Sequence, residues 1–219
     1  CGAEAVTEQR ITSRKNPLLQ QVKKLLSSRK AREEAGLFAA DGVKLLAEAV
    51  RWYPGLDTVI LSDGVEAEVP ESVRLFRVPE DVMASISPME SPQGALFLCR
   101  LPERKTYVPQ PGCLLLDGIQ DPGNLGTILR TADALDIPVT LLEGCADPYG
   151  PKTVRAGMGA VFRTQPVKAD WAEVKTACAE AQIPVAVTAL SRRAKDLRQA
   201  DLRSMAGGIG SGGAGGRRG

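Results

Sequence analysis

The 219-residue chain carries 28 basic and 26 acidic side chains, a net charge of +2, with 43% apolar and 25% charged residues. That balance suits a globular chain of one large or two small domains, and no apolar run reaches the roughly 18 residues a membrane span needs. The absence of histidine excludes His-based triads, His-ligated zinc and imidazole general bases.

The polar N-terminal stretch carries acids and is not expected to be a secretory signal. The chain opens on Cys1 rather than Met, so its natural start is expected to lie upstream. Arg10, Arg14, Lys15, Lys23, Lys24, Arg29, Lys30 and Arg32 follow with no acid among them. Such a one-signed block fits a phosphate backbone, or else a solvated helix face with acids nearby in space. The block overlaps an amphipathic helix predicted from Pro17 to Gly36, with Asn16 as cap and Leu18, Leu19, Val22, Leu25 and Leu26 at helical spacing. A second helix is expected near Val43–Trp52. DTVILS (57–62) and VRLFRV (73–78) read as strands, PEDVMASIS (79–87) as a helix and GALFLCR (94–100) as a strand. This alternation predicts a small α/β unit.

LPERKTYVPQPG (101–112) is rich in proline and charge and reads as an interdomain linker. After it come a buried strand CLLLDGI (113–119), a helix (121–136), a strand PVTLLEG (138–144), a helix from Pro151, another at 170–182 and a strand PVAVTAL (184–190). Strands separated by helices predict a parallel sheet covered on both faces. The glycine-rich tail from Met205 cannot order itself without help from neighbours. Its GxGxxG match, Gly208 to Gly213, lacks the helix and second strand of a dinucleotide site.

The five cysteines, Cys1, Cys99, Cys113, Cys145 and Cys178, are far apart with no CxxC pair. They predict neither a metal site nor a disulfide framework, but reduced thiols and a cytoplasmic location.

Two blocks carry the chemistry. In LLDGIQDPGNLGTILRTADAL (115–135) a buried strand ends at Asp117, and Asp121-Pro122 opens a helix with a cap and first-turn proline. Leu125, Ile128, Leu129, Ala132 and Leu135 are expected on its apolar face. Asn124 lies at the entrance and Arg130 two turns in, about 240° around the axis from it, so the two do not share a face. A polar Asn and a charged Arg near the carboxyl end of a strand can bind an anionic ligand; the competing reading is a packing helix with an incidental arginine. In DPYGPKTVRAGMGAVFR (147–163), Lys152 and Arg155 share a helix face. The small residues Ala156, Gly157, Gly159 and Ala160 suit phosphate contact or a tight dimer seam.

These two blocks resemble the SpoU (TrmH-like) family of RNA ribose 2′-O-methyltransferases of the SPOUT superfamily. Upstream, ITSRKNPLLQQVKKLLSSRKAREEAGLFAADGVKLLAEAV resembles the L30e-like substrate-binding domain of members acting on ribosomal RNA. The resemblance implies an L30e-like α/β domain over 1–101, a linker over 102–111 and a SPOUT-type parallel-sheet methyltransferase domain over 112–219, knotted as a trefoil in the family. It implies methyl transfer from S-adenosylmethionine to a ribose 2′-hydroxyl, without a metal, by a homodimer acting on RNA, ribosomal rather than transfer. The family's catalytic Asn and Arg fall on Asn124 and Arg130. Thr188, Leu190, Ile209 and Gly210 would hold the cofactor through backbone contacts, and Arg14, Lys15, Lys30, Arg32, Lys152 and Arg155 would contact RNA. The chain departs from the family at Gly212, where a Glu is expected, and in lacking the final Ser- and Asn-containing motif. Those departures leave one alternative, a non-catalytic, ribosome-associated RNA-binding factor.

Overall fold

The computed structural model describes residues 7–90, 92–188 and 205–210. The first half runs β1 (Glu8–Arg10), α1 (Pro17–Ser27), α2 (Arg29–Ala35), β2 (Leu37–Asp41), α3 (Val43–Trp52), β3 (Leu56–Ser62), β4 (Arg74–Val78), α4 (Glu80–Ile86) and β5 (Ala95–Arg100). Its sheet has the order β1-β4-β3-β5-β2, with β5 antiparallel to both neighbours and the other pairs parallel. The second half runs β6 (Leu114–Asp117), α5 (Pro122–Ala134), β7 (Val139–Leu141), α6 (Pro151–Ala156), α7 (Ala160–Arg163), β8 (Val167–Lys168), α8 (Trp171–Glu180), β9 (Val185–Val187) and β10 (Ala206–Gly210). Its strands lie in the order β8-β7-β6-β10-β9, and every pair is parallel, as expected.

Period-two alternation sorts the core. In β6, Leu116 packs into the layer between the two sheets, while Leu115 faces the opposite side under Val174 and Cys178 of α8. In the first sheet, Ile60, Leu96 and Leu98 meet Leu19, Val22 and Leu25 of α1 and Met83 of α4. The other face presents Phe38, Val59 and Phe97 to α3 and to residues of α5, α6 and α7. The middle layer therefore belongs to both halves. Phe38, Tyr53 and Phe97 from one side and Tyr149 and Phe162 from the other form an aromatic group with centroids 5.0–6.2 Å apart, the spacing at which ring quadrupoles attract.

Three expectations need correction, and a fourth, that the glycine-rich tail orders only with help from its neighbours, is met. The helix predicted over 17–36 is two helices, because Ser28 takes an extended conformation and its hydroxyl oxygen accepts from Ala31 N–H, capping α2. Serine competes for backbone donors in this way and so favours caps over helix interiors. Strand β2 was not predicted, since Leu-Phe-Ala-Ala-Asp has no β-branched residue; it forms because the middle layer and α1 bury it on both faces. Leu135 is 63% exposed rather than on the apolar face, because α5 ends before it. Tail residues Ala206–Gly210 form an inner strand, with the backbone ladders of β6 and β9 supplying the order their own side chains cannot.

The break at Ser28 also disposes of one predicted RNA contact. Ending α1 there leaves the carbonyls of its last turn without intrahelical partners. Arg32, 6% exposed, donates to the Leu25 carbonyl at 2.6 Å and to Asp147 of the second half at 2.8 Å. Asp147 in turn accepts from Tyr149 N–H at 3.0 Å. A second tie runs through Arg163, which bridges Glu48 of α3 and Asp133 of α5. Removing one member of a buried pair strands the other, at a cost of about 3–5 kcal/mol. Arg32→Ala should therefore destabilise the chain by about that much in urea unfolding, and Arg32→Ala/Asp147→Ala should cost less than Arg32→Ala alone.

Candidate active site at the sheet switch point

From β6 the chain steps to β7 and β8 on one side, while β9 and β10 lie on the other, so the strand order reverses between β6 and β10. In open α/β sheets ligands settle outside the carboxyl ends of strands at this reversal. Gly210 pairs with Asp117 there, and Thr188 N–H donates to the Gly208 carbonyl at 2.9 Å. Gly118, with φ of 66°, turns the chain away from β6. The strand ends are uncovered, with Ile209 38% and Val187 59% exposed. Three of the expected cofactor contacts, Thr188, Ile209 and Gly210, thus come together at one sheet edge. Leu190, Gly212 and any knot-forming segments lie outside the described residues.

Helix α5 starts at the same edge. Its cap Asp121 accepts from Asn124 N–H at 2.8 Å, and Pro122 fills the first position, where no N–H is needed. Asn124 and Arg130 are both exposed, and neither side chain has a hydrogen bond or ion pair among the described residues. Six residues of helix separate them by about 9 Å along the axis. The chain places Asn124 at the crevice and does not bring Arg130 beside it.

The second block is used differently from expectation. Built on Gly126 of α5, a Cβ would lie 2.6 Å from the Thr153 carbonyl and 2.8 Å from Gly157 N. The small residues around 156–160 are thus partly consumed within the chain, where α5 crosses α6. Lys152 is exposed, whereas Arg155 is half-buried and its charge acts on Asp41 of β2. Burial pushes the Asp41 carboxyl up, opposed by a 2.5 Å hydrogen bond from the Ser87 hydroxyl and by Arg155.

The basic block is largely partnered. Arg10 pairs with Asp63, Arg14 with Asp81, Arg29 with Glu33, Lys30 with Glu34 and Arg32 with Asp147. All but the last are exposed, and such pairs contribute about 0–1 kcal/mol, so Arg14 and Lys30 stay available to other anions. Lys15 is exposed without an ion pair among the described residues.

Sequence reading missed a cavity of about 630 Å³ between α2, the linker and the loop after β7. Asn124, Thr188, Ile209 and Gly210 are not among its lining residues. No short motif marks it, because its walls come from segments more than a hundred residues apart. Four described cysteines, Cys99, Cys113, Cys145 and Cys178, are free thiols, and no group of residues suited to a metal occurs among the described residues.

Comparison with known proteins agrees with this architecture. The SpoU rRNA Methylase family model matches residues 112–214, and the MRM3-like substrate binding domain model matches residues 16–96. The 23S rRNA (uridine(2479)-2'-O)-methyltransferase of Streptomyces viridochromogenes is 30% identical over 200 residues, covering 80% of this chain and 68% of that protein. The 23S rRNA (guanosine(2553)-2'-O)-methyltransferase RlmP of Bacillus subtilis is 33% identical over 162 residues, covering 72% of this chain. The chain spans 64% of the length of RlmP. An AdoMet-bound rRNA methyltransferase from Sinorhizobium meliloti superposes with a TM-score of 0.79 at 29% identity, over 93% of this chain and 80% of that one.

The crossing of α5 and α6 leaves no room for a side chain at Gly126. In Gly126→Ala, overpacking against rigid backbone, about 1–3 kcal/mol, should exceed the roughly 1 kcal/mol that alanine gains over glycine in a helix. A lowered melting temperature in calorimetry is the expected result.

Proposed function

We propose that this chain, which belongs to the SpoU rRNA methylase family, methylates a ribose 2′-hydroxyl of structured RNA, ribosomal rather than transfer, at the edge formed by β6, β9 and β10. The observation that carries the reading is that the switch-point crevice and the entrance of α5 coincide, with Asn124 exposed beside the ends of three parallel strands. Names of relatives that methylate 23S rRNA at a ribose oxygen support it, and the presence of both Asn124 and Arg130 favours an enzyme over a mere RNA-binding factor.

The edge suits S-adenosylmethionine. Gly208 and Gly210 put no side chain in the way, uncovered Ile209 and Val187 offer apolar surface to an adenine ring, and strand-end backbone groups offer hydrogen bonds. Thr188, Ile209 and Gly210, with Leu190 beyond the described residues, would hold it. When bound, it supplies an electrophilic methyl on a sulfonium. The residues of the chain then have to align a poor nucleophile and stabilise the charge that develops on its oxygen. The role of Arg130 is to grip the phosphate beside the target ribose through its planar fork of donors and to polarise the hydroxyl. Asn124 orients the ribose from the helix entrance.

Arg130 faces solvent about 9 Å along the helix from Asn124, so a homodimer completes the site, with Arg130 of one copy set against the crevice of the other. Exposed Leu135 and Met158, at 63% and 48%, supply apolar surface for that contact. Arg14, Lys15, Lys30 and Lys152 approach the RNA backbone, the substrate part spans 1–101, the linker 102–111 and the methylase part 112–219, and the protein works in the cytoplasm.

Two measurements test this. Arg130→Lys keeps the charge and loses the planar fork. It should bind S-adenosylmethionine with unchanged heat yet lose at least ~100-fold in turnover on ribosomal RNA, the scale of one preorganised donor; turnover within a few-fold of the parent would make Arg130 a surface residue. Light scattering at micromolar concentration should give twice the chain mass, and a monomeric mass would remove the shared site.

A further inference from the structure

The 630 Å³ cavity lies within the roughly 300–1,000 Å³ range of small-ligand sites. Its walls come from Arg29 of α2, from Pro102, Arg104 and Lys105 of the linker, and from Cys145 and Pro148 of the loop after β7. Arg29 spans it, donating to Glu33 and, at 3.4 Å, to the Cys145 carbonyl. Arg104 and Lys105 are exposed and have no ion pair among the described residues.

This loop is also the back wall of the switch-point crevice. Gly118 N–H donates to the Glu143 carbonyl at 3.0 Å, Ala146 N–H to the Ile119 carbonyl at 2.8 Å, and the Cys145 thiol to the Leu116 carbonyl at 3.3 Å. One layer of backbone therefore separates the cavity from the strand end where methyl transfer is placed.

We propose that the cavity receives an unpaired nucleotide of the RNA substrate near the methylated one, its base against the Arg29 guanidinium and the prolines, its flanking phosphates on Arg104 and Lys105. Single-stranded RNA is recognised in this way, with splayed bases stacked on aromatic rings or guanidinium planes. The opposing charges of Arg29 and Glu33 suit a neutral base with donors and acceptors better than a free anion. The inference rests on the RNA-methylase reading and adds a specificity site to it.

Cys145 reports occupancy directly. Of the described cysteines it is the half-exposed one, while Cys99, Cys113 and Cys178 are buried. In the full chain carrying Cys1→Ser, N-ethylmaleimide should label Cys145, at alkaline pH because burial pushes the thiol up. A short oligouridine at about ten times its Kd leaves about a tenth of sites vacant and should slow labelling about tenfold. Duplex RNA and S-adenosylmethionine alone should leave labelling unchanged. Arg104→Ala and Lys105→Ala should each lower the salt slope of oligouridine binding by about 0.7. Oligouridine that binds without protecting Cys145 would overturn the cavity proposal and leave the methylase reading standing. Protection by S-adenosylmethionine alone would assign the cavity to the cofactor and overturn it too. Failure of the chain to bind either RNA would overturn both.

Discussion

The buried contact between Arg32 and Asp147 is the constraint on which the arrangement depends. A guanidinium this far from water is tolerated because its partners are already there: a carboxylate of the second half and a carbonyl set free where α1 ends. Without the break at Ser28, that carbonyl would be spent inside a longer helix and Arg32 would be carried along it away from the loop. The aromatic group around Phe38 and Phe162 then fills the space that the ion pair defines. Two sheets that could have been tethered bodies instead share one middle layer.

That sharing explains why charge along the sequence misled at Arg32 and informed elsewhere. In one dimension the eight basic residues look alike. In three, Arg32 holds the halves together, Arg10 and Arg14 meet acids brought up by β3 and α4, and Lys15 is left to solvent. Only pairing across more than fifty positions separates these roles, and no local pattern encodes it.

The legible parts of the chain were those whose signals are local. Asp121-Pro122 wrote the start of α5, an unbroken run of leucines wrote β6, and helices between strands wrote a parallel sheet. The family resemblance rested on the same two blocks. What stayed hidden was stabilised from a distance: β2 by burial on both faces, the glycine strand by its neighbours' backbones, and the cavity by segments that meet only after both halves dock. Asn124 was legible because a cap announces it, and the exposure of Arg130 was not, because a helix face has no label until its neighbours arrive.

The position of β10 has a consequence for biogenesis. It is the last described strand in the chain yet lies between β6 and β9, so the sheet has a gap until residues 206–210 emerge from the ribosome. The first half can close earlier, because all five of its strands precede β6, whereas β6 waits with an open edge, the kind of surface that recruits wrong partners. Long-range parallel pairing is slow to form, and domains generally fold in the order they are made. Until residues 206–210 are made, the second sheet is an exposed folding intermediate, and a run of small, weakly apolar residues is a safe choice for the segment that must slide in between two formed strands.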